Sequence, residues 1–272
     1  MKTKTISRFH KMHGLGNDFV IIDAREEPVS LSAQAIRAIA DRRSGIGCDQ
    51  LIILEAPQSD SILMRIFNAD GAEVEACGNA ARAVGLLLGG EQQIETAGGR
   101  IVTSAIDGGA SVDMGEPRFD WAQIPLAYPM DSMAMPVGWE MLERPMAVNV
   151  GNPHVIFFVS ADADIDLARL GPLIENDPLF PDRINVNVAR IIGPSSLRLD
   201  VWERGAGLTR ACGTGACATA VAAIKSGRVT SPVTVTLPGG DLTIAWGSGE
   251  SISMTGDATY VFSGEADWSQ FG

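Results

Sequence analysis

The sequence predicts a mixed α/β (α+β) fold of two pseudo-symmetric domains from an internal repeat. Each domain is a mostly antiparallel sheet wrapped around a central helix. Three observations predict this. Sliding the chain against itself by 135 residues brings separate blocks into register: Gly16-Asn17-Asp18-Phe19-Val20-Ile21 falls on Gly151-Asn152-Pro153-His154-Val155-Ile156, and Cys77-Gly78 falls on Cys212-Gly213. Short strand-like segments occupy matched places in the two halves. Each Cys block is followed by a run of helical length, and the second run is small or apolar on every side, as a buried helix must be.

The elements follow in order. Phe19 to Asp23, Leu51 to Glu55, Ile62 to Phe67 and Ile101 to Ala105 read as strands. Their counterparts are His154 to Val159, Asn185 to Ile191, Leu197 to Trp202 and Leu242 to Trp246. Ser30 to Asp41 reads as a helix with Leu31, Ala35, Ile36, Ile39 and Ala40 on one side. Helices are also expected over Asn79 to Leu88, before Gly89-Gly90, and over Thr214 to Ser226, with Gly227 as C-terminal cap. Past the Cys blocks the shift grows to about 140, where Val112-Asp113-Met114 resembles Ile252-Ser253-Met254. The repeat divides the chain into residues 1–122 and 123–259, with the tail 260–272 returning to the first domain as a strand. The segment Asp120 to Glu143, rich in Pro, Met and Trp, is the connector and is expected to pack on the surface. One large α/β domain with chance similarity is the alternative.

Composition narrows the function. The chain has 272 residues, 46% hydrophobic and 20% charged, and a formal net charge of −12. Phosphate neutralisation needs a cationic face, so nucleic acid is disfavoured as a partner. No apolar run reaches bilayer or signal-peptide length, so the expectation is a cytoplasmic protein without membrane contact. Four cysteines (Cys48, Cys77, Cys212, Cys217) in a chain this long are thiols in a reducing compartment, not a disulfide scaffold. With three histidines, no Cys/His metal spacing can be assembled. The sequence leaves the oligomeric state open, with a homodimer as the expected assembly.

The chemistry points to the two matched cysteines. A helix start carries N–H groups without intrahelical acceptors and the positive end of the dipole. A thiol placed there ionises more easily, and the N–H groups of Gly78, Asn79, Gly213 and Thr214 can hold an anion. If the two helix starts meet at the domain interface, two thiols flank one carboxylate. Inverting an amino-acid α-carbon needs this set: a base on one face, an acid on the other, and donors for the charge that moves onto the carboxylate. No cofactor is expected, since a pyridoxal enzyme needs a Schiff-base lysine and none of Lys2, Lys4, Lys11 and Lys225 stands out.

The segments Ala76-Cys77-Gly78-Asn79-Ala80 and Gly205 to Gly215 closely resemble those of the diaminopimelate epimerase family. So do His13 to Phe19, Gly45 to Gln50 and Gly151-Asn152-Pro153-His154, in order and at family-like spacing from about residue 9 to residue 265. The resemblance implies cofactor-independent interconversion of LL- and meso-2,6-diaminopimelate in lysine and cell-wall precursor synthesis. It implies that Cys77 and Cys212 are the catalytic thiols, and that His154 and Glu203 support catalysis. It implies substrate binding by Asn17, Gln50, Asn68, Gly78, Asn79, Asn152, Asn185, Glu203, Arg204, Gly213 and Thr214. Leu208 is a departure, since many members carry Glu there; it lies outside these residues.

Alternatives stay open at this level. A proline or hydroxyproline racemase would keep paired cysteines, and a phenazine-biosynthesis isomerase would lack them. A redox switch would use the thiols differently, although no C-x-x-C is present. A binding module would have no need of two thiols. Cys48, in a Gly-rich loop, and Cys217, inside the buried helix, read as structural. His154 taken alone reads as a packing residue, Glu203-Arg204 as a surface pair, and the asparagines as turn formers.

Overall fold

A computed structural model describes residues 6–56, 60–75 and 77–271 of the chain. They divide into two compact units, one of residues up to Val112 with Gly256 onward, the other of Asp113–Thr255.

The first unit opens with β1 (Ile6–Gly14) and β2 (Asn17–Ala24), an antiparallel hairpin in which Gly14 faces Asn17. Its two-residue turn places Leu15 and Gly16 at φ 54° and 85°, the left-handed pair that matches strand twist. There follow α1 (Ala33–Ala40), β3 (Gln50–Glu55), β4 (Ile62–Asn68), β5 (Glu73–Val74), α2 (Gly78–Leu88), β6 (Glu91–Thr96), β7 (Gly99–Ile106) and β8 (Gly109–Asp113). β2 runs parallel to β3, β3 antiparallel to β4, β4 antiparallel to β5 and parallel to β6, and β6 antiparallel to β7.

Every residue from Phe19 to Ile22 is buried, so β2 is covered on both faces. Val20, Ile22, Leu51 and Ile53 pack with Ile36 and Ile39 of α1 and with Trp268. Phe19 and Ile21 point the other way, as the two-residue period of a strand requires. The helix α2 packs against β1, β2, β6 and β7. The α1 start is fixed by Ser32, whose hydroxyl accepts from the Ala35 amide at 3.1 Å.

The second unit repeats the plan. It holds β9 (Gly138–Trp139), β10 (Leu142–Glu143), β11 (Met146–Asn149), β12 (Pro153–Val159), α3 (Leu167–Glu175), β13 (Asn185–Gly193), β14 (Ser196–Glu203), β15 (Gly207–Thr209), α4 (Gly213–Lys225), β16 (Val233–Leu237) and β17 (Gly240–Ala245). β12 is parallel to β13, β13 antiparallel to β14, β14 antiparallel to β15 and parallel to β16, and β16 antiparallel to β17. Phe19 faces Gln50 in the first unit and His154 faces Asn185 in the second, the same pairing displaced by 135 residues. The internal repeat is thus a repeat of sheet topology and register.

Gly213 and all of Gly215 to Ala223 are buried, and α4 packs against β11, β12, β13, β16 and β17. Its C-cap is Ser226, and Gly227 follows at φ 69°. On the opposite layer α3 supplies Leu167, Leu170 and Ile174 to a core with Val155, Phe157, Val186 and Val188. The connector contributes Ile124, Leu126, Met135 and Leu142 to that same core. It is core material of the second unit instead of a surface strap. The chain ends with β18 (Ser253–Asp257), β19 (Thr259–Asp267) and a 3-10 turn at Trp268–Gln270. β19 pairs antiparallel with β1, returning the tail to the first unit.

Gly171 of α3 lies under the Trp202 ring, so a Cβ there would sit 2.5 Å from the indole Cγ. The indole N–H donates to Glu175 Oε2 at 2.7 Å and pins the ring. Gly171→Ala gains up to about 1 kcal/mol of helix propensity, but overpacking of this kind costs about 1–3 kcal/mol. We expect a lower urea midpoint. A more stable variant would contradict the packing described.

Candidate active site

The sheet of each unit ends in polar side chains beside a cysteine. In the first unit the tight turn delivers Asn17 to the head of β2, and Gln50 and Asn68 occupy paired ends of β3 and β4. The Gln50 side chain donates to Asn68 Oδ1 at 3.0 Å. Cys77 is the N-cap of α2 in extended conformation. Its thiol donates to Asn17 Oδ1 at 3.8 Å, and Asn79 Nδ2 donates to the same oxygen at 3.3 Å. Gly78 and Asn79 form the first turn of α2 and are buried. Cys77, Asn17, Asn79, Gln50 and Asn68 therefore lie at one end of this unit.

In the second unit Cys212 is the N-cap of α4, only 4% exposed. The Gly215 amide donates to its sulfur at 3.4 Å, and Thr214 Oγ1 lies 3.5 Å away. Asn152 Nδ2 donates to Thr214 Oγ1 at 3.3 Å, so the oxygen accepts there and the hydroxyl proton is left to point at the sulfur. Glu203 hydrogen-bonds to the Cys212 thiol and accepts from Thr209 Oγ1. Asn185 holds the bend after β14, its side chain accepting from the Arg204 amide at 2.9 Å and donating to the Pro153 carbonyl at 2.8 Å. The Arg204 guanidinium reaches the Asp182 carbonyl at 2.9 Å. Cys212, Thr214, Asn152, His154, Glu203, Asn185 and Arg204 are thus joined through one hydrogen-bond neighbourhood.

Electrostatics modifies one expectation from the sequence. Burial pushes the Cys212 thiol well up, and the neighbouring Glu203 charge adds to this. The Thr214 hydroxyl and Gly215 amide pull the other way and are outweighed. A helix start alone does not make this thiol easily ionised. Burial also raises Glu203, opposed by its bonds from Thr209 and Cys212. Burial thus raises both groups, and the raised Glu203 carboxylate is a better proton acceptor beside the thiol than an exposed one would be.

His154 is fully buried, and burial lowers it to about 3. Its tautomer follows from its partners. The Asn187 amide donates to Nδ1 at 3.1 Å, so Nδ1 is the acceptor; Nε2–H then donates to Asn152 Oδ1 at 3.0 Å. A neutral His154 fixes which end of the Asn152 amide faces Thr214. Asn187 and Thr209 were not singled out from the sequence. For Asn187 a signal existed: it lies two residues from Asn185 in a strand whose Val186 and Val188 face the core, so both asparagines share the other face. Cys48 and Cys217 are buried, and burial pushes the Cys48 thiol up to about 11.

The family profile described as diaminopimelate epimerase matches residues 9–120 and 146–261. The chain belongs to the diaminopimelate epimerase family. It is 63% identical over 265 residues to a diaminopimelate epimerase from Sphingopyxis alaskensis, covering 97% of this chain and 99% of that protein. It is 64% identical over 266 residues to one from Rhizorhabdus wittichii, covering 97% of each. Among solved structures, a hydroxyproline epimerase from Agrobacterium vitis shares the fold, with a TM-score of 0.65 at 14% identity over 98% of this chain and 92% of that one. The family match spans both copies of the repeat. The racemase-type relative is similar in fold alone.

One consequence concerns pH. The unfolded chain takes up a proton on His154 below its ordinary value of 6.5, and the folded chain does so only near about 3. Between these values the unfolded state binds more protons, so stability falls as pH falls, by up to about 1.4 kcal/mol per unit from this group. In His154→Gln that contribution is absent. Urea unfolding from about pH 6.5 down to 5 should show a steeper loss for the wild type. Equal slopes would contradict a neutral buried His154.

Proposed function

We propose that this protein is an isomerase that epimerises 2,6-diaminopimelate between its LL and meso forms, with Cys77 and Cys212 as exchanging base and acid. The observation that carries the reading is identity of 63–64% over 97% of the chain to two proteins named diaminopimelate epimerase. The second reading, a proline-type racemase, is supported only by fold similarity at 14% identity.

The residue roles follow from the chemistry. One thiol, as thiolate, takes the α-proton, and the other returns a proton to the opposite face. The first turns of α2 and α4, at Gly78-Asn79 and Gly213-Thr214, hold the carboxylate that takes up charge. Glu203 receives and returns the Cys212 proton. His154 acts by orienting Asn152. Asn17, Gln50, Asn68, Asn185 and Arg204 are assigned to the amino-acid groups of the substrate, Arg204 to its distal carboxylate, which a guanidinium can hold with two bonds. No electron-sink group enters this scheme. The reading places the protein in the cytoplasm, where its thiols stay reduced.

Half-reactions test the two-thiol assignment. Cys77→Ala and Cys212→Ala should each abolish epimerisation, since inversion needs both groups. Elimination from a β-halogenated diaminopimelate needs only the first proton abstraction. Each variant should keep it for one configuration of the analogue, and for opposite configurations. Elimination from the same configuration in both variants, or near wild-type epimerisation in either, would overturn the assignment.

We also read the assembly as a homodimer. Tyr260, Val261 and Phe262 of β19 are 43%, 52% and 47% exposed. Clustered apolar exposure of this kind marks a surface that a partner covers. Sedimentation should give twice the chain mass, and Phe262→Asp should give the monomer. A wild-type monomer at micromolar concentration would remove this assembly.

A further inference from the structure

The two asparagines matched by the repeat, Asn17 and Asn152, are held in opposite senses. In the second unit the Asn152 oxygen is tied to His154, and its NH2 faces Thr214 beside Cys212. In the first unit the residue matching His154 is Phe19, which cannot orient an amide. Another device does so. Asn17 Nδ2 donates to Asp49 Oδ2 at 3.2 Å, and Arg82 Nη2 donates to Asn79 Oδ1 at 2.7 Å. A carboxylate only accepts and a guanidinium only donates. The chemistry at both ends therefore fixes both amides: Asn79 turns its NH2 to Asn17, and Asn17 turns its oxygen to Asn79 and to the Cys77 thiol.

Both anchors are themselves held. Arg82 is fully buried in α2, five residues past Cys77, and a buried guanidinium persists only with acceptors around it. The Asp49 carboxylate takes Arg42 Nη2 at 2.7 Å and the Asp18 amide at 3.1 Å. Asp18 in turn holds Arg42 at 2.6 Å and Lys11. The repeat gives Cys217 at the place of Arg82 and Ile184 at that of Asp49, so the matched positions in the second unit carry neither charge.

We infer that Asp49 and Arg82 are positioning residues for Cys77: from opposite ends of the chain Asp49–Asn17–Asn79–Arg82 they lock the Asn17 amide with its oxygen toward the thiol. This rests on Cys77 being one of the two exchanging thiols. An amide oxygen accepts the S–H proton and favours the thiol, whereas a turned amide would present N–H to sulfur and favour the thiolate. The charged groups linked to Cys77 through this network are Arg82 and Asp49, with Arg42, Asp18 and Lys11 behind them.

Asp49 is about half exposed and tolerates substitution better than Arg82, so it carries the test. The alkylation rates of Cys77 and Cys212 by iodoacetamide are followed against pH by peptide mapping of the full chain. Asp49→Ala removes one of the two anchors, so the amide turns for part of the time, and the Cys77 midpoint should fall by up to about one pH unit, the worth of one good hydrogen bond, while Cys212 stays in place. Asp49→Asn removes the charge but keeps an acceptor for Asn17 Nδ2, so its Cys77 midpoint should return most of the way to wild type. Epimerase kcat should fall about tenfold in Asp49→Ala, with a smaller change in KM. An unmoved Cys77 midpoint in Asp49→Ala overturns the inference. So do equal falls in both Asp49 variants, which would mean charge alone, or a joint shift of both cysteines, which would mean general loosening. Failure of the two-thiol reading is separate: it shows in the half-reactions, whereas the alkylation midpoints report on Asp49 whether or not Cys77 is catalytic.

Discussion

A helix with no polar face can exist in water only if something encloses it, and that constraint organises both halves of this chain. The burial of Gly213 and of Gly215 to Ala223 leaves α4 no solvent-facing side, so strands must pass on several sides of it. Small residues are what allow the enclosure. A Cβ on Gly215 would lie 2.8 Å from Asn187 Oδ1 and 3.3 Å from Cys212 Sγ, so even one methyl would push the Asn187 amide aside and crowd the cysteine. Enclosure also decides where polar chemistry can appear. The middle of such a helix satisfies its own backbone, but its first turn does not. The open end of each enclosed helix is therefore the natural place for Cys77 and Cys212.

The same burial sets the difficulty of the chemistry. A thiol at a helix start gains from the dipole by fractions of a kcal/mol up to about 2, while desolvation of a charged group in a closed interior is larger. At Cys212 desolvation wins. The thiol can then shed its proton only to a neighbour that has itself been made a better base, and Glu203 is raised by the same surroundings. The burial that holds the proton on the thiol also strengthens the carboxylate beside it as a base.

Much of this was readable in the sequence because the repeat keeps its register. The 135-residue shift reappears in the strand pairings, Phe19 with Gln50 and His154 with Asn185, and the helices after the cysteines start within a residue of their expected positions. The helix read over Ser30 to Asp41 is shorter, Ala33–Ala40, because Ser32 caps it. What periodicity could not reveal was α3, whose Gly171-Pro172 pair reads as a break but is accommodated under Trp202. Nor did it reveal that the connector is core: Ile124, Leu126, Met135 and Leu142 are buried without any regular spacing. At the sites, residues that touch the cysteines lay in recognisable motifs. Those that orient them were not legible as such: Asn187 and Arg82 lay outside the motifs, and Asp49 lay inside one without a visible role, because all three act through hydrogen bonds between segments far apart in sequence.

The duplication is symmetric in backbone and asymmetric in polar anchoring, and an epimerase has reason to be so. On the proposed two-thiol reading, one thiol holds its proton at the start of a turnover and the other has given it up. Two identical environments would populate both single-proton arrangements equally and leave the resting state undefined. Here Cys77 faces an amide oxygen whose orientation is fixed by ions at both ends, whereas Cys212 faces a hydroxyl oriented through Asn152 and the neutral His154, and a carboxyl that can take up a proton. On the proposed reading, reversing the reaction exchanges the protonation states of both thiols, with Glu203 available as a proton partner beside Cys212.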